Sequence, residues 1–142
     1  MTSSRPFFTI LDHTADMGIR VWGANLSELF ENAARALMQI MLAPTGFERT
    51  SRRKLLLRGQ DSADLLVRWL GEILYLLEGE GKITVEITMD SITESQLEAT
   101  LHVAPFDPDH HEILTEIKAV TYHQVEVVST DVGWQASVIF DL

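Results

Sequence analysis

The sequence contains no cysteine. Disulfides, thiolate zinc sites and cysteine nucleophiles are therefore excluded, and a reducing compartment is permitted. Long apolar runs are missing too. Stretches such as Leu55 to Leu57 fall far short of the roughly 20 residues that a membrane-spanning helix needs. Met1 to Pro6 lack the apolar stretch of a secretory signal, so a cytoplasmic location without a membrane partner is expected. Basic residues nearly vanish after position 82. Residues 1–82 hold ten acids and ten bases, whereas residues 83–142 hold eleven acids and one base, Lys118. The net charge of −10 therefore arises entirely from the second segment. Such a balance opposes tight non-specific nucleic-acid binding, which runs on Lys and Arg neutralising phosphates. Common catalytic motifs are absent as well. There is no Gly-rich phosphate loop ending in Lys-Ser/Thr, no Gly-x-Ser-x-Gly elbow and no His-Glu-x-x-His helix.

What is present is the composition of an ordinary globular domain: 142 residues, 46% hydrophobic and 23% charged. No repeat, low-complexity tract or linker divides it, so residues 1–142 are expected to form one domain. Two short β-like runs, 7–11 and 17–23, flank a polar stretch, Asp12-His13-Thr14-Ala15-Asp16. A helix follows, with Asn25 or Ser27 as cap and Glu28 at capping-box spacing from Asn25. Leu29, Phe30, Ala33, Leu37, Ile40 and Met41 form its apolar stripe, opposite Glu31, Asn32, Arg35 and Gln39. A strand is expected over 51–58. A second helix, capped by Asp61 or Ser62, carries Leu65, Leu66, Trp69, Leu70, Ile73, Leu74 and Leu77 and stops at 79–82. The remainder alternates as strands: Ile83, Val85, Ile87 and Met89, then Leu97, Ala99, Leu101 and Val103, then 117–122, 125–128 and 134–140. One-sided alternation without repeated βαβ units predicts an α+β two-layer sandwich, a mainly antiparallel sheet with two principal helices on one face.

Four segments can carry chemistry. The 12–16 stretch packs two carboxylates, an imidazole and a hydroxyl into five residues, which suits either a hard cation or an Asx/ST turn. Phe140-Asp141-Leu142 ends directly after a strand, so its carboxylates and carbonyls form half of a cation site or a frayed tail. In the first case the 12–16 stretch is the obvious source of the other half, and spacing does not choose between Asp12 and Asp16. In Glu116-Ile-Lys-Ala-Val-Thr-Tyr-His123, alternation sets Lys118, Val120 and Tyr122 on one side and Ala119, Thr121 and His123 on the other. Lys118 is a surface ion-pair partner or an anchor for a phosphate or acidic group, and His123 is a ligand, a base or a packed histidine. Five bases within 49–58 can meet phosphate or protect a strand edge, but no interleaved aromatics accompany them.

Taken together, Leu11-Asp-His-Thr-Ala-Asp-Met-Gly-Ile19, the helix Leu26-Ser-Glu-Leu-Phe-Glu-Asn-Ala-Ala34, Glu116 to His123 and the ending Trp134-Gln-Ala-Ser-Val-Ile-Phe-Asp-Leu142 resemble the archease family. The resemblance runs end to end. Met17 replaces a branched aliphatic residue, and Leu142 stands where isoleucine is common. Neither change touches a carboxylate. The resemblance implies a non-catalytic accessory to the GTP-dependent RNA ligase of tRNA splicing and RNA repair, promoting ligase guanylylation and multiple turnover. It implies a divalent cation, calcium first with magnesium or manganese as alternatives. Asp16, Asp141 and Leu142 would hold it, the last through a backbone or terminal oxygen. Lys118 matches the family lysine linked to ligase activation. Asp12, His13 and His123 are candidates for positions around the cation. Nucleic acid would be met only through the ligase, by a monomer or weak oligomer. Two rivals stand beside this reading. One is a metal-dependent hydrolase or phosphotransferase with Asp16 and Asp141 as ligands and His123 as base; the other is an RNA-binding module using Arg49 to Arg58.

Overall fold

The computed structural model describes residues 6–12, 16–47 and 50–142. Two strands, β1 (Phe8–Asp12) and β2 (Asp16–Gly23), pair antiparallel. The chain then turns directly into α1 (Leu26–Met41). Gly23 makes that tight turn possible, because a Cβ there would lie 2.4 Å from the Leu29 backbone nitrogen. The Asn25 side chain accepts the Glu28 N–H at 2.8 Å, and the Glu28 carboxylate accepts the Ala24 N–H at 3.0 Å. The expected capping box is thus present, its return bond reaching one residue further back than usual. After β3 (Ser51–Arg58), Asp61 caps α2 (Ser62–Glu80) by accepting the Asp64 N–H. Gly81, at φ 64°, closes α2 in the left-handed conformation that glycine adopts without cost.

The rest is β: β4 (Lys82–Ile92), β5 (Gln96–Pro105), β6 (Ala119–Val120), β7 (Glu126–Thr130) and β8 (Gly133–Asp141). Every pairing is antiparallel. The molecule is the expected α+β sandwich, and its strands divide into two sheets. One runs β1-β2-β8-β6, with β7 also on β8; the other runs β3-β5-β4. Both helices touch both sheets, α1 through β2 and β4, α2 through β4 and β6. This explains why α1 buries Ala33, Ala34 and Ala36 completely along with its larger residues. Small side chains let the sheets approach a helix closely from two sides. No helix among the described residues is long and apolar enough to cross a membrane.

Three expectations change in the structure. Asn32, placed on the polar side of α1, is buried and donates from Nδ2 to the Trp22 carbonyl at 2.8 Å. That flank packs against β2, which carries Trp22, so the polar side chain stays only because it is bonded. Replacing Asn32 with alanine should lower stability by about 1–3 kcal/mol, measurable by urea unfolding. In β4, Val85 faces out while Thr84 is buried, because the register shifts between Thr84 and Glu86. An inserted residue reverses which side chains face the core. Finally, the extended run expected over 117–122 shrinks to the two residues of β6. Here β6 and β7 lie along one edge of β8 as an interrupted strand. Five residues, 121–125, fill the gap that Val138 and Ile139 span on β8.

Candidate functional site

The β2–β8 ladder decides what meets at one end of the larger sheet. Its register sets Asp16 opposite Asp141, Met17 opposite Phe140 and Ile19 opposite Val138. Met17, Ile19, Val138 and Phe140 belong to or pack on the core, so the alternate residues Asp16 and Asp141 share the outer face. Directly opposed side chains in an antiparallel pair have Cβ atoms about 5 Å apart, and like charges so placed repel. Neither carboxylate has an ion-pair or hydrogen-bond partner among the described residues. Asp141 is exposed and Asp16 half-buried. On the far side of Asp141 the register brings Ala119, whose methyl leaves the approach open. The Lys118 N–H donates to the Asp141 carbonyl at 2.8 Å, fixing the lysine backbone beside the pair while its side chain is exposed. Leu142 follows Asp141 and is exposed.

The other expected site residues do not join them. Asp12 stands in β1 opposite Met17, not opposite Asp141. His13 lies outside the described residues. His123 sits exposed in the 121–125 interruption, and its N–H donates to the Thr121 hydroxyl at 3.3 Å. Among the described residues no three His, Asp or Glu side chains converge on one point. Asp16 and Asp141 thus provide two side-chain oxygen donors, with the main-chain oxygens near Leu142 beside them. That all-oxygen set fits a hard cation such as calcium or magnesium and would suit a soft metal poorly.

A clamp not apparent in the sequence holds the interruption in place. The Tyr122 hydroxyl donates to Asp64 Oδ1 at 2.7 Å, joining residues 58 positions apart. Asp64 Oδ2 accepts the Gln60 N–H at 2.8 Å and the Arg68 Nε–H at 3.0 Å. The Gln60 N–H, then the tyrosine hydroxyl, hold the Asp64 carboxyl below the usual carboxylate range. The same bond to a carboxylate pushes the Tyr122 phenol above its ordinary value. The only sequence signal was Asp64 itself, three residues after the Asp61 cap. Tyr122→Phe should speed hydrogen exchange at the Thr121 and Val125 amides, which bond Ile139 and Tyr122 carbonyls, with little effect on β2–β8. A depressed folded pKa stabilises above the unfolded value and is lost as pH falls through the folded one. The clamp should therefore persist at neutral pH, weakening in acid as the Asp64 carboxylate protonates below its ordinary range and in alkali as the Tyr122 phenol ionises above its own.

The chain is similar to known proteins along its length. The model of the archease protein family (MTH1598/TM1083) matches residues 8–142. The protein archease of Methanosarcina barkeri is 35% identical, with both chains covered completely. That of Sulfurisphaera tokodaii is 37% identical over 84% of this chain and 87% of its own. The solution structure of Methanobacterium thermoautotrophicum protein 1598 superposes with a TM-score of 0.74 at 31% identity, covering 96% of this chain and 99% of the other. The crystal structure of a Thermotoga maritima archease, described as a possible chaperone, shares the fold at TM-score 0.66 and 21% identity, covering 100% and 99%. With a family match from β1 to the last residue and relatives alike over their full length, the chain belongs to the archease family.

Proposed function

We propose that this archease is a non-catalytic accessory protein that binds a divalent cation and activates a GTP-dependent RNA ligase, promoting its guanylylation and repeated turnover. The observation that carries the reading is the register pairing of Asp16 with Asp141, two unpartnered carboxylates held on one face beside Lys118. In this reading Asp16, Asp141 and a main-chain oxygen of Leu142 hold the cation, calcium first. Bound there, a divalent ion supplies positive charge that offsets the carboxylate repulsion and a Lewis-acidic centre at the tip. The chain's own residues do the rest. The β2–β8 ladder fixes the spacing of the carboxylates, and the bond from Lys118 to the Asp141 carbonyl holds the lysine where its ammonium can meet a phosphate or acidic group of the ligase. The eleven acids after position 82 steer the molecule toward a basic surface such as an RNA-binding ligase presents. A cytoplasmic location goes with this role.

Ligase guanylylation and turnover, measured with wild type, Asp16→Ala, Asp141→Ala and Lys118→Ala, test the proposal. Each substitution should cut the stimulation by on the order of tenfold or more. Wild-type stimulation by all three folded variants contradicts it. The hydrolase reading gains no observation, since among the described residues no third His, Asp or Glu joins Asp16 and Asp141 as a metal-binding group.

A further inference from the structure

Residues 112–114 lie against the C-terminal end of α1. The Ala43 N–H donates to the Glu112 carbonyl at 3.0 Å, the Leu114 N–H donates to the Met41 carbonyl at 2.8 Å, and Ile113 forms a β-bridge with Leu42. These contacts fix the backbone on both sides of Ile113. Yet the two consecutive aliphatic side chains point into solvent, Ile113 48% and Leu114 54% exposed. Three residues further on, Ile117 is 1% exposed, so the same segment does bury an aliphatic residue in the core. The two exposed ones are held out on a bonded backbone, which reduces the entropy lost when they are covered.

Their surroundings specify what covers them. Glu112 and Glu116 flank the pair, both exposed, and neither has an ion-pair partner among the described residues. Lys118 is the only base after position 82. Leu114 is four residues from Lys118, so their Cα atoms are at most about 14 Å apart. Lys118 is bonded to Asp141. The chain thus leads from the aliphatic pair to the carboxylate pair within the span of an ordinary interface, about 800 Å² per partner.

We infer that Ile113 and Leu114 are the apolar anchor by which this protein docks on a protein partner, entering an apolar pocket rimmed by Lys and Arg that pair with Glu112 and Glu116. The inference rests on the accessory reading above, with the ligase as that partner. It separates two jobs: the anchor sets how tightly the complex forms, while Asp16, Asp141 and Lys118 act once it has formed.

The test is a titration of ligase stimulation with wild type, the double variant Ile113→Ser/Leu114→Ser, and Val132→Ser. Val132 is 81% exposed in the turn at the opposite end of β8 and controls for loss of surface hydrophobicity. The double variant should raise the half-maximal concentration about 30-fold, as buried anchors do when truncated. Its plateau and calcium affinity should stay as in wild type, and Val132→Ser should change nothing. Glu112→Lys/Glu116→Lys should also weaken docking, with an effect that shrinks as salt is added. Both double changes lie on the exposed surface, and circular dichroism checks that they fold. Stimulation by wild type and the serine variant at the same half-maximal concentration overturns the docking inference alone. No stimulation by wild type overturns the ligase reading and this inference with it.

Discussion

Asp141→Asn should make the protein more stable than wild type in chelator and less stable than wild type in excess calcium. Without a cation, Asp16 and Asp141 are like charges on directly opposed residues of an antiparallel pair, an arrangement that costs a few tenths of a kcal/mol up to about 1. Asparagine removes one charge and keeps the shape, so the unfolding midpoint in EDTA should rise slightly, more at low salt than at high. In the proposed site calcium would bind the folded pair and not the unfolded chain, which stabilises wild type by about 2.7 kcal/mol at a hundredfold excess over the dissociation constant. The variant should gain little of this. The reversal of rank is the informative result, because loss of packing at position 141 would lower stability in both buffers alike. Urea unfolding of the two proteins, with and without calcium, reads it directly.

Trp69→Ala should cost about 3–5 kcal/mol, a large fraction of the roughly 5–15 kcal/mol that holds an ordinary domain folded. Trp69 is fully buried in the core of α2, and its indole N–H donates to the Phe30 carbonyl of α1 at 2.9 Å. It is therefore both a large part of the packing between the helices and a direct polar link between them. Alanine leaves a cavity that the surrounding leucines fill only in part, and removes the bond as well. Trp69→Phe separates the two contributions. It retains most of the volume and loses the N–H, so its cost should fall between wild type and the alanine variant. Guanidinium unfolding monitored by far-ultraviolet circular dichroism measures all three. An alanine variant within 1 kcal/mol of wild type would place the helix–helix seam elsewhere.

The local features of the fold were legible because they depend on residues close together in the chain. Asn25 with Glu28, Asp61 ahead of a leucine stripe, Gly81 after α2, and the strand over 51–58 all stand where their sequence signals lie. Leu97, Ala99, Leu101 and Val103 are buried as their alternation required. Pairing between distant strands was not legible. Alternation assigns a face to each residue but not a partner, so the two sheets, each with one face on the core, looked like one. The same limit left Asp12 and Asp16 equal as counterparts of Asp141. Their separation needs the β2–β8 register, in which Asp16 meets Asp141 while Asp12 stands on the next strand opposite Met17. Asn32 was misplaced for a related reason: helical periodicity describes a helix with one buried side, and α1 is covered on two. Nor does any periodicity reveal the interruption at 121–125, because it arises from five residues facing two across a strand edge.

Calorimetric titration of calcium into wild type, Asp16→Asn and Asp12→Asn tests the role of the carboxylate pair most directly. A site held by Asp16 and Asp141 predicts binding in wild type and an affinity lower by on the order of 100-fold in Asp16→Asn, since each lost carboxylate removes a charged ligand. Asp12→Asn should cost much less. Equal calcium affinity in wild type and a folded Asp16→Asn would contradict the account.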